Sequence, residues 1–393
     1  MLALFPWISF GAALLVVAIA AVTRGRLYAT FVGVLLTIHT LISVALAPSF
    51  AVVLPLYAYF QATVYVHFAA LAWARMRPIW YRALVSVPAS WFAAGTLLAA
   101  PWAVVSAFGG HTYGFFLPFV AASYGVVQSL RHRFEEVDLT LDDEHAPNLA
   151  RYTLGTERVD RPLRIAQITD PHLGPFMSES RLREIVERAV RAKPDLVLLT
   201  GDYLTMESHD ALDQLTRALS PLKAMPGRVF ACRGNHDFEA PRTVTQALAD
   251  VGAKLLIDEA VTVETDAGPV QILGIDFRFK EREAYTRAAC TNHPRIPGHL
   301  RVVLLHDPGA FKHVPDGEAD LVLSGHTHGG QLGLLTLGLP HTFVSAFTKI
   351  PDHGLWALGK NRLYVHRGTG HYGFPLRVGV PGEESVLRVH RAV

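Results

Sequence analysis

The first third of the chain has no acidic residue and no lysine. Between Met1 and Leu130 the only charged side chains are five arginines. A domain that folds in water needs charged groups over its surface, so this composition excludes a soluble domain here and indicates a membrane-embedded region. From about Arg131 onward, acidic, basic and polar residues are mixed as in a globular protein. The net charge of +2 therefore averages two unlike parts of the chain and gives no reason to expect a nucleic-acid partner.

Cysteine is also scarce. Cys232 and Cys290 are the only two in the sequence, which excludes a framework of several disulfides and leaves at most one bridge. Neither cysteine belongs to the CxxC spacing of a structural zinc site. We therefore predict a reducing compartment and two buried apolar thiols.

Five long apolar stretches fill the N-terminal region. A helix of ~20 residues is long enough to cross the hydrocarbon core of a bilayer. The stretches predict an all-α transmembrane region of about five helices over residues 1–130, then a polar linker over 131–161 and a soluble domain over 162–393. The first stretch could instead be a cleaved secretory signal, although it lacks the basic segment of such signals. The stretches cover residues 3–22, 27–47, 51–73, 83–108 and 113–130.

The placement of arginine predicts the orientation in the membrane. The motifs "TRGR", "ARMRPIWYR" and "LRHR" follow the first, third and fifth stretches, whereas the other two connections have no arginine. Loops that carry excess positive charge stay in the cytoplasm. We therefore predict a multi-pass protein of the inner (plasma) membrane whose C-terminal domain is cytoplasmic.

Two histidines, His39 and His67, fall inside the predicted spans. An ionisable group within the membrane is by default a functional candidate, and a neutral histidine bonded to a neighbouring helix is the alternative. The absence of an acidic residue from these helices favours the neutral histidine and counts against a proton-coupled transporter.

The remaining two-thirds of the chain alternate short apolar runs with helical stretches. The run "LRIAQITDPHLG" leads to "SESRLREIVERAVRA", in which Leu182, Ile185 and Ala189 recur at helical spacing. Ser178 is a suitable N-cap for that helix. The alternation recurs as far as "DLVLSGHTHGG" and predicts an α/β sandwich, whose ligands would gather beyond the carboxyl ends of the strands.

Eight polar side chains follow the predicted strands directly. Each alone has an ordinary explanation, since Asp170 could cap a helix, Asn235 could occupy a turn and His306 could lie in the core. Together they offer imidazole, carboxylate and amide groups without a thiolate, a set that suits Mn, Fe or Zn. The set is too large for one catalytic zinc, whereas two ions sharing a carboxylate would use it. The eight residues are Asp170, His172, Asp202, Asn235, His236, His306, His326 and His328.

The series of motifs resembles that of the calcineurin-like metallophosphoesterase family. The motifs "DPH", "GDY", "GNHD", "LLHD" and "GHTH" occur in this order, and the similarity extends from about Leu163 to the C-terminus. The resemblance implies an αββα sandwich and a metal-dependent phosphoric ester hydrolase with two divalent ions, for which manganese is one candidate.

The resemblance also implies a role for each site residue. It makes His236 a catalytic residue that faces the phosphate, stabilises charge or protonates the leaving oxygen, while the nucleophile is a metal-bridging hydroxide. Asp237, Asp307 and Gln331 are weaker candidates for groups that orient the ligands. One ion would be held by Asp170, His172, Asp202 and His328, and the other by Asp202, Asn235, His306 and His326.

Departures from the family pattern narrow the predicted activity. The second motif reads "GDYLTMES" without the second Asp and the Arg of serine/threonine protein phosphatases, so protein phosphatase activity is not expected. The tail "YVHRGTGHYGFPLRVGVPGEESVLRV" is similar to that of bacterial membrane-associated phosphoesterases of the YkuE and YaeI type. Soluble UDP-diacylglucosamine hydrolases typically have Arg in place of His236, which argues against that close assignment.

We therefore predict a membrane-anchored dinuclear phosphoesterase that hydrolyses a phosphomonoester, phosphodiester or pyrophosphate bond. A lipid-linked substrate is attractive because anchoring to the membrane raises its local concentration. The alternative is a membrane sensor or scaffold whose C-terminal domain binds phosphate ligands without turnover. A nucleic-acid partner is not expected.

Overall fold

The computed structural model describes residues 2–142, 144–153 and 161–391. They form two compact units. The helical unit contains the chain up to Leu130, together with the short segments Met206–Ser208 and Tyr372–Val378. The α/β unit contains the rest.

The helical unit consists of apolar helices that pack through one face and expose the other. Leu36, Val64 and Phe92 lie in its core, whereas Leu14 and Leu27 are exposed, which suits a surface in contact with lipid. Its helices are α1 (Phe5–Arg24), α2 (Arg26–Leu46), α3 (Leu54–Ala70), α4 (Ile79–Tyr81), α5 (Val87–Leu98), α6 (Ala100–Ala107) and α7 (Leu117–Leu130).

The prediction of about five membrane crossings is not confirmed. By length and composition, two helical stretches among the described residues could cross a membrane: α1 and the 45-residue stretch Arg26–Ala70, in which the 3₁₀ segment Ala47–Val53 separates α2 from α3. A third is added if the pair Ile79–Leu98 and Ala100–Ala107, bent by 59°, counts as one span. The fifth predicted crossing corresponds to α7, which has 14 residues and is shorter than the ~20 needed to cross the hydrocarbon core. The hydropathy of the sequence could not predict the bend between the paired helices or the short length of α7. It depends on the length of an apolar stretch and not on where a helix bends or ends.

Polar bonds join α2 to α3. His39 Nε2 lies 3.1 Å from Gln61 Oε1, and Ser43 Oγ donates to the Tyr57 hydroxyl at 3.0 Å. On one straight helix the 22 residues between His39 and Gln61 would separate them by about 33 Å. The chain therefore reverses direction through the 3₁₀ segment Ala47–Val53, and His39 is bonded to a neighbouring helix as the sequence favoured.

His67 has an acidic neighbour that its own helices could not supply. Its Nδ1 lies 3.9 Å from Glu207 Oε1, in one of the two later segments that belong to this unit. Glu207 is buried. Burial raises the pKa of its carboxyl to about 7, although Arg77 and Arg82 oppose the shift. A contact between residues this far apart in the sequence has no signature in local composition.

The α/β unit contains two mixed sheets. Their orders are β1-β13-β3-β4-β5-β6 and β2-β11-β12-β10-β9-β8-β7. Its strands are β1 (His132–Leu141), β2 (Ala146–Arg151), β3 (Leu163–Ile168), β4 (Leu196–Leu199), β5 (Val229–Ala231), β6 (Lys254–Leu255), β7 (Glu259–Thr265), β8 (Gly268–Ile275), β9 (Leu300–Leu305), β10 (Leu321–Ser324), β11 (Gly354–Gly359), β12 (Asn361–Val365) and β13 (Gly382–Arg391). Its helices are α8 (Glu179–Arg191), α9 (Leu212–Leu219), α10 (Pro241–Asp250), α11 (Arg282–Asn292) and α12 (Phe343–Phe347).

The segment predicted as a linker, residues 131–161, contributes two strands to this unit. β1 pairs in parallel with β13 from His132↔Gly382 to Leu141↔Arg391, and β2 pairs with β11. The prediction of a connector is therefore wrong for β1 and β2, because only the end of β1 is buried and its sequence is rich in charge. Residues 154–160 of the predicted linker lie outside the described residues.

The two sheets pack face to face, with helices on their outer faces. Ile165 and Leu198 of one sheet share a buried core with Val302 and Leu323 of the other. On one outer side, α8 is joined to β13 by hydrogen bonds from Arg188 to Glu384 at 2.9 and 2.8 Å. On the other side, α11 packs on β9. The predicted α/β sandwich of two sheets between helices is present.

Helix α8 follows its sequence pattern closely. Ser178 Oγ accepts from the Arg181 amide at 3.2 Å, as expected of an N-cap. The positions predicted to face the core, including Leu182 and Ile185, are buried. Both cysteines of the unit are also buried and free, as predicted.

Candidate metal centre

Strand ends from both sheets bring the predicted site residues into two groups. Asp170, His172 and Asp202 follow β3 and β4 of one sheet, and the residues after β9 and β10 come from the other sheet. In each group, three possible ligand atoms lie within 4.8 Å of one another. The first group is Asp170, His172 and His328, and the second is Asp202, His306 and His326.

Asp202 lies within reach of both groups. Its Oδ2 is 3.2 Å from His306 Nε2 and 3.7 Å from His172 Nε2. In the first group, Asp170 Oδ1 is 3.3 Å from His328 Nε2 and 3.8 Å from His172 Nε2. The two groups are therefore adjacent and joined through one carboxylate.

Most of these residues have an unusual backbone. Asp170, His172, Asp202, His326 and His328 all have positive φ, between 46° and 68°. This conformation is uncommon for residues other than glycine and costs on the order of 1–3 kcal/mol for each residue. The surrounding fold holds these turns in place, and the strain concentrates at the candidate site.

Two glycines leave space for the carboxylates. A Cβ atom on Gly234 would overlap Asp202 Oδ1, and one on Gly325 would overlap Asp170 Oδ2. These close contacts explain why glycine stands directly before the "NHD" and "HTH" motifs.

Backbone carbonyls orient two of the imidazoles. His172 Nδ1 lies 3.1 Å from the Leu204 carbonyl, and His306 Nδ1 lies 2.6 Å from that of Thr200. A carbonyl only accepts, so each Nδ1 carries a proton. Nε2 of neutral His172 then presents a lone pair to the group, and Nε2 of His306 does so once a cation replaces its second proton. This arrangement is typical of histidines that bind metals.

The buried site shifts the pKa of several of its residues. Burial lowers the pKa of His172 to about 3 and that of His326 to about 4, and it raises the pKa of Asp170 to about 6. Burial also acts to lower the pKa of His306, but the charges of Asp202 and Asp170 outweigh it and raise that pKa to about 10. The carboxylates therefore attract positive charge, which a divalent cation can supply in place of the proton on His306.

Two further atoms support a metal at this position. Asn235 Oδ1 and His326 Nδ1 are buried, and neither has a hydrogen-bond partner among the described residues. Such atoms are rare in folded proteins unless an ion or water completes their bonding. The donor types and these two atoms fit divalent cations, and both groups are candidate metal-binding groups.

Asp237 was a candidate for orienting a ligand histidine, but it accepts hydrogen bonds from backbone amides of the site. Its Oδ2 accepts from the Gly234 amide at 2.7 Å and the Asp202 amide at 2.8 Å, and its Oδ1 accepts from the Tyr203 amide at 2.9 Å. Burial, together with the charge of Asp202, raises the pKa of Asp237 to about 7. Of the other two candidates for orienting groups, Asp307 pairs with Arg282 at 2.6 Å, and Gln331 shares the positive φ of the ligand turns.

His236 stands beside the two groups. Its ring centroid is 5.5 Å from that of His172, and its amide donates to Asp202 Oδ1 at 2.8 Å. Its Nδ1 lies 2.7 Å from Glu239 Oε1, and Glu239 Oε2 lies 3.5 Å from His209 Nε2. Sequence reasoning missed Glu239 and His209, although Glu239 stands three residues after His236 and residues so spaced align on a 3₁₀ turn.

Two phenylalanines, Phe277 and Phe279, lie beside the second group, and sequence reasoning missed them as well. The Phe277 ring centroid is 6.1 Å from that of His326 and 6.3 Å from that of His306. The exposed ring of Phe279 lies 4.8 Å from Phe277. These residues follow β8 in "GIDFRF", which carries no metal-binding pattern, so nothing in the sequence distinguishes them from core residues.

The carboxylates and imidazoles between two sheets define a candidate metallohydrolase, and comparison with known proteins specifies its family. The model of the calcineurin-like phosphoesterase family matches residues 163–330. "Phosphodiesterase YaeI" of Escherichia coli is 31% identical over 233 residues, which cover 58% of this chain and 82% of that protein. The chain belongs to the calcineurin-like phosphoesterase family and is a metal-dependent phosphoester hydrolase, as the motif series predicted.

Two other relatives are named as a transmembrane protein and as a pyrophosphatase. The "Transmembrane protein with metallophosphoesterase domain" of Danio rerio is 30% identical over 248 residues, covering 58% of this chain and 54% of that protein. The "UDP-2,3-diacylglucosamine pyrophosphatase LpxG" of Chlamydia muridarum is 24% identical over 303 residues, covering 62% of this chain and 90% of that protein.

Proposed function

We propose that the protein is a membrane-anchored hydrolase of a phosphodiester or pyrophosphate bond in a lipid-linked substrate. The observation that carries the proposal is the pair of candidate metal groups joined through Asp202 with His236 beside them. Similarity to proteins named as a phosphodiesterase and a pyrophosphatase supports the type of bond.

In this proposal seven residues hold two divalent ions, which are manganese, iron or zinc. Asp202 serves both positions, because its carboxylate lies near residues of both groups. Such ions, when bound, supply Lewis-acid stabilisation of phosphoryl oxygens and activate water. One position comprises Asp170, His172, Asp202 and His328, and the other comprises Asp202, Asn235, His306 and His326.

His236 acts on the substrate instead of on the ions. Its Nδ1 lies 2.7 Å from Glu239 Oε1, and we assign to its Nε2 the bond to a phosphoryl or leaving-group oxygen. Glu239 is a positioning residue that fixes the plane of the ring. His209 contacts the second oxygen of Glu239 and so limits its movement.

The proposal places the chain in the inner membrane as a multi-pass protein with its catalytic unit in the cytoplasm. The apolar helices and the arginines in alternate connections support this orientation. A relative named as a transmembrane protein supports membrane anchoring. The diacylated compound in the name of the Chlamydia relative supports a lipid-linked substrate.

The test uses the full-length protein in detergent with Mn²⁺ and bis(p-nitrophenyl) phosphate. We expect turnover by the wild type, a loss of more than about 100-fold in kcat/KM for Asp202→Asn, and a loss of about 100-fold or more for His236→Ala. Asp266→Asn and His299→Ala are matched controls away from the site and should keep wild-type activity. Binding of inorganic phosphate without turnover by the wild type would instead establish the sensor or scaffold function.

A further inference from the structure

A short segment after the last predicted ligands exposes an unusual amount of apolar surface. We define the apolar surface as the exposed large side chains of residues 334–350. Leu337 is 72% exposed and Phe347 is 74% exposed, and both belong to the α/β unit. The full set is Leu334, Leu337, Leu339, Phe343, Phe347 and Ile350.

This exposure is a property of an ordered element. Phe343 and Phe347 pack against each other on α12, with ring centroids 4.8 Å apart. A reciprocal pair of bonds between Thr342 and Ser345 caps the helix, at 3.1 Å and 2.9 Å. Leaving large apolar side chains in water is unfavourable by roughly 25 cal/mol for each Å². Contiguous apolar patches on proteins therefore usually mark a surface that binds a partner or a membrane.

Hydrogen bonds attach the apolar surface to the turn that carries two predicted ligands. The Phe343 amide donates to the Leu332 carbonyl at 2.8 Å, and the Leu334 amide donates to the His341 carbonyl at 2.9 Å. Gly330, two residues after His328, leaves room for Thr342, which a Cβ at this glycine would approach to 3.0 Å. The position of the apolar surface is thus coupled to that of the metal-ligand turn.

The charge of the segment indicates what it contacts. Between Gln331 and Pro351 there is no acidic residue, and Lys349 is the only residue that is charged at neutral pH, apart from any protonation of His341. Large apolar side chains bind the interface of a bilayer through their buried area, and the single lysine adds about 1 kcal/mol of attraction to anionic lipids. The same chain carries helices that are apolar and long enough to span a membrane, which supports a bilayer as the partner of this surface.

We propose that the apolar surface inserts into the interface of a lipid bilayer and presents the metal centre to phosphoester groups at that surface. The consequence for substrate choice rests on the proposed hydrolase function, whereas the insertion itself does not. The partner of the apolar surface in this proposal is the lipid bilayer. Contact with only the acyl chain of a bound substrate is a different outcome, and the test below distinguishes the two.

The buried cysteines make a direct test possible. Cys232 and Cys290 are buried, so a thiol-reactive fluorophore will label a newly introduced cysteine selectively. The full-length variants Leu337→Cys and Phe347→Cys are labelled and reconstituted in phosphatidylcholine vesicles with a minority of phosphatidylglycerol and brominated acyl chains. Ile257→Cys is the matched control, because Ile257 is an exposed apolar residue of the same unit outside the apolar surface.

We expect a blue shift and loss of most of the fluorescence at positions 337 and 347, and neither change at position 257. Equal quenching at all three positions, or at none, overturns the proposal. Quenching that occurs only after a brominated diacyl pyrophosphate is added to non-brominated vesicles also overturns it, in favour of an acyl-chain site.

Activity separates this inference from the proposed function. Leu337→Asp and Phe347→Asp should lower kcat/KM on a diacyl pyrophosphate in vesicles by about tenfold or more, and Ile257→Asp should not. All three should match the wild type on bis(p-nitrophenyl) phosphate, and an equal loss on both substrates would indicate a folding defect and contradict the proposal. If the wild type hydrolyses neither substrate but the quenching pattern holds, the proposed function fails and the bilayer contact stands.

Discussion

Replacing Gly325 with alanine is a sharp test of the candidate metal centre, because it adds one methyl group and changes no charge. The added Cβ would overlap Asp170 Oδ2 and Thr169 Oγ1, two atoms already hydrogen-bonded at 2.7 Å. The carboxylate also accepts from the His326 amide at 3.0 Å. Because carbon and oxygen need more than 3 Å of separation, Asp170 must shift by on the order of 1 Å or the strand ends must part.

A shift of this size has a predictable effect. Overpacking of a buried site costs about 1–3 kcal/mol of stability, and a misplacement of ~1 Å lowers catalysis by about 100-fold. We therefore expect Gly325→Ala to lower kcat/KM on bis(p-nitrophenyl) phosphate by about two orders of magnitude, with weaker binding of Mn²⁺ in a calorimetric titration.

The matched control is Gly11→Ala in α1, where an added Cβ meets nothing within 4 Å. It should keep wild-type activity and metal binding. If Gly325→Ala binds two equivalents of Mn²⁺ with wild-type affinity and turnover, Asp170 is not a ligand of the catalytic centre and the geometric reasoning is wrong.

Three further predictions concern the surroundings of the site and the helical unit. Glu239→Ala removes the group that orients His236, so kcat should fall by about tenfold or more while metal content, measured by mass spectrometry, stays unchanged. Chelation of divalent ions should lower the Tm in a thermal melt and Mn²⁺ should restore it, because the metal binds the folded site and not the unfolded chain. Glu207 has its pKa raised from 4.5 to about 7, so its stabilising contribution is complete below pH 4.5 and is lost as the pH rises through about 7. Glu207→Gln should therefore be more stable than the wild type at pH 8, by about 3 kcal/mol, and a difference that grows on acidification would contradict this.

Sequence reasoning succeeded for features that a short stretch of residues specifies by itself. Helix α8 was predicted with its cap and its buried face because an amphipathic helix carries its own periodicity. The six residues of the two candidate metal groups were predicted because each follows a strand in a short motif, and their role as ligands stays a prediction. Their closeness in space required only that the strand ends meet at one edge, as they do.

What sequence reasoning missed depends on distant partners or on backbone geometry. The left-handed conformation of His172 and His326 was not predicted, because histidine is only moderately enriched in that conformation and most histidines do not adopt it. β1 was taken for a linker because its partner lies far along the chain and its exposed residues are charged. Glu207 reaches His67 from outside the apolar region, so inspection of the helices alone could not supply it.

The pairing of β1 with β13 affects how the protein is made. The register His132↔Gly382 joins residues 250 positions apart (382 − 132), so β1 leaves the ribosome long before its partner exists. At 5–20 residues per second, the delay is roughly 12–50 s. During that time an unpaired strand edge is open to association with other chains. Recombinant fragments that begin at the predicted boundary of 162 lack β1 and leave one edge of β13 bare, so we expect them to aggregate.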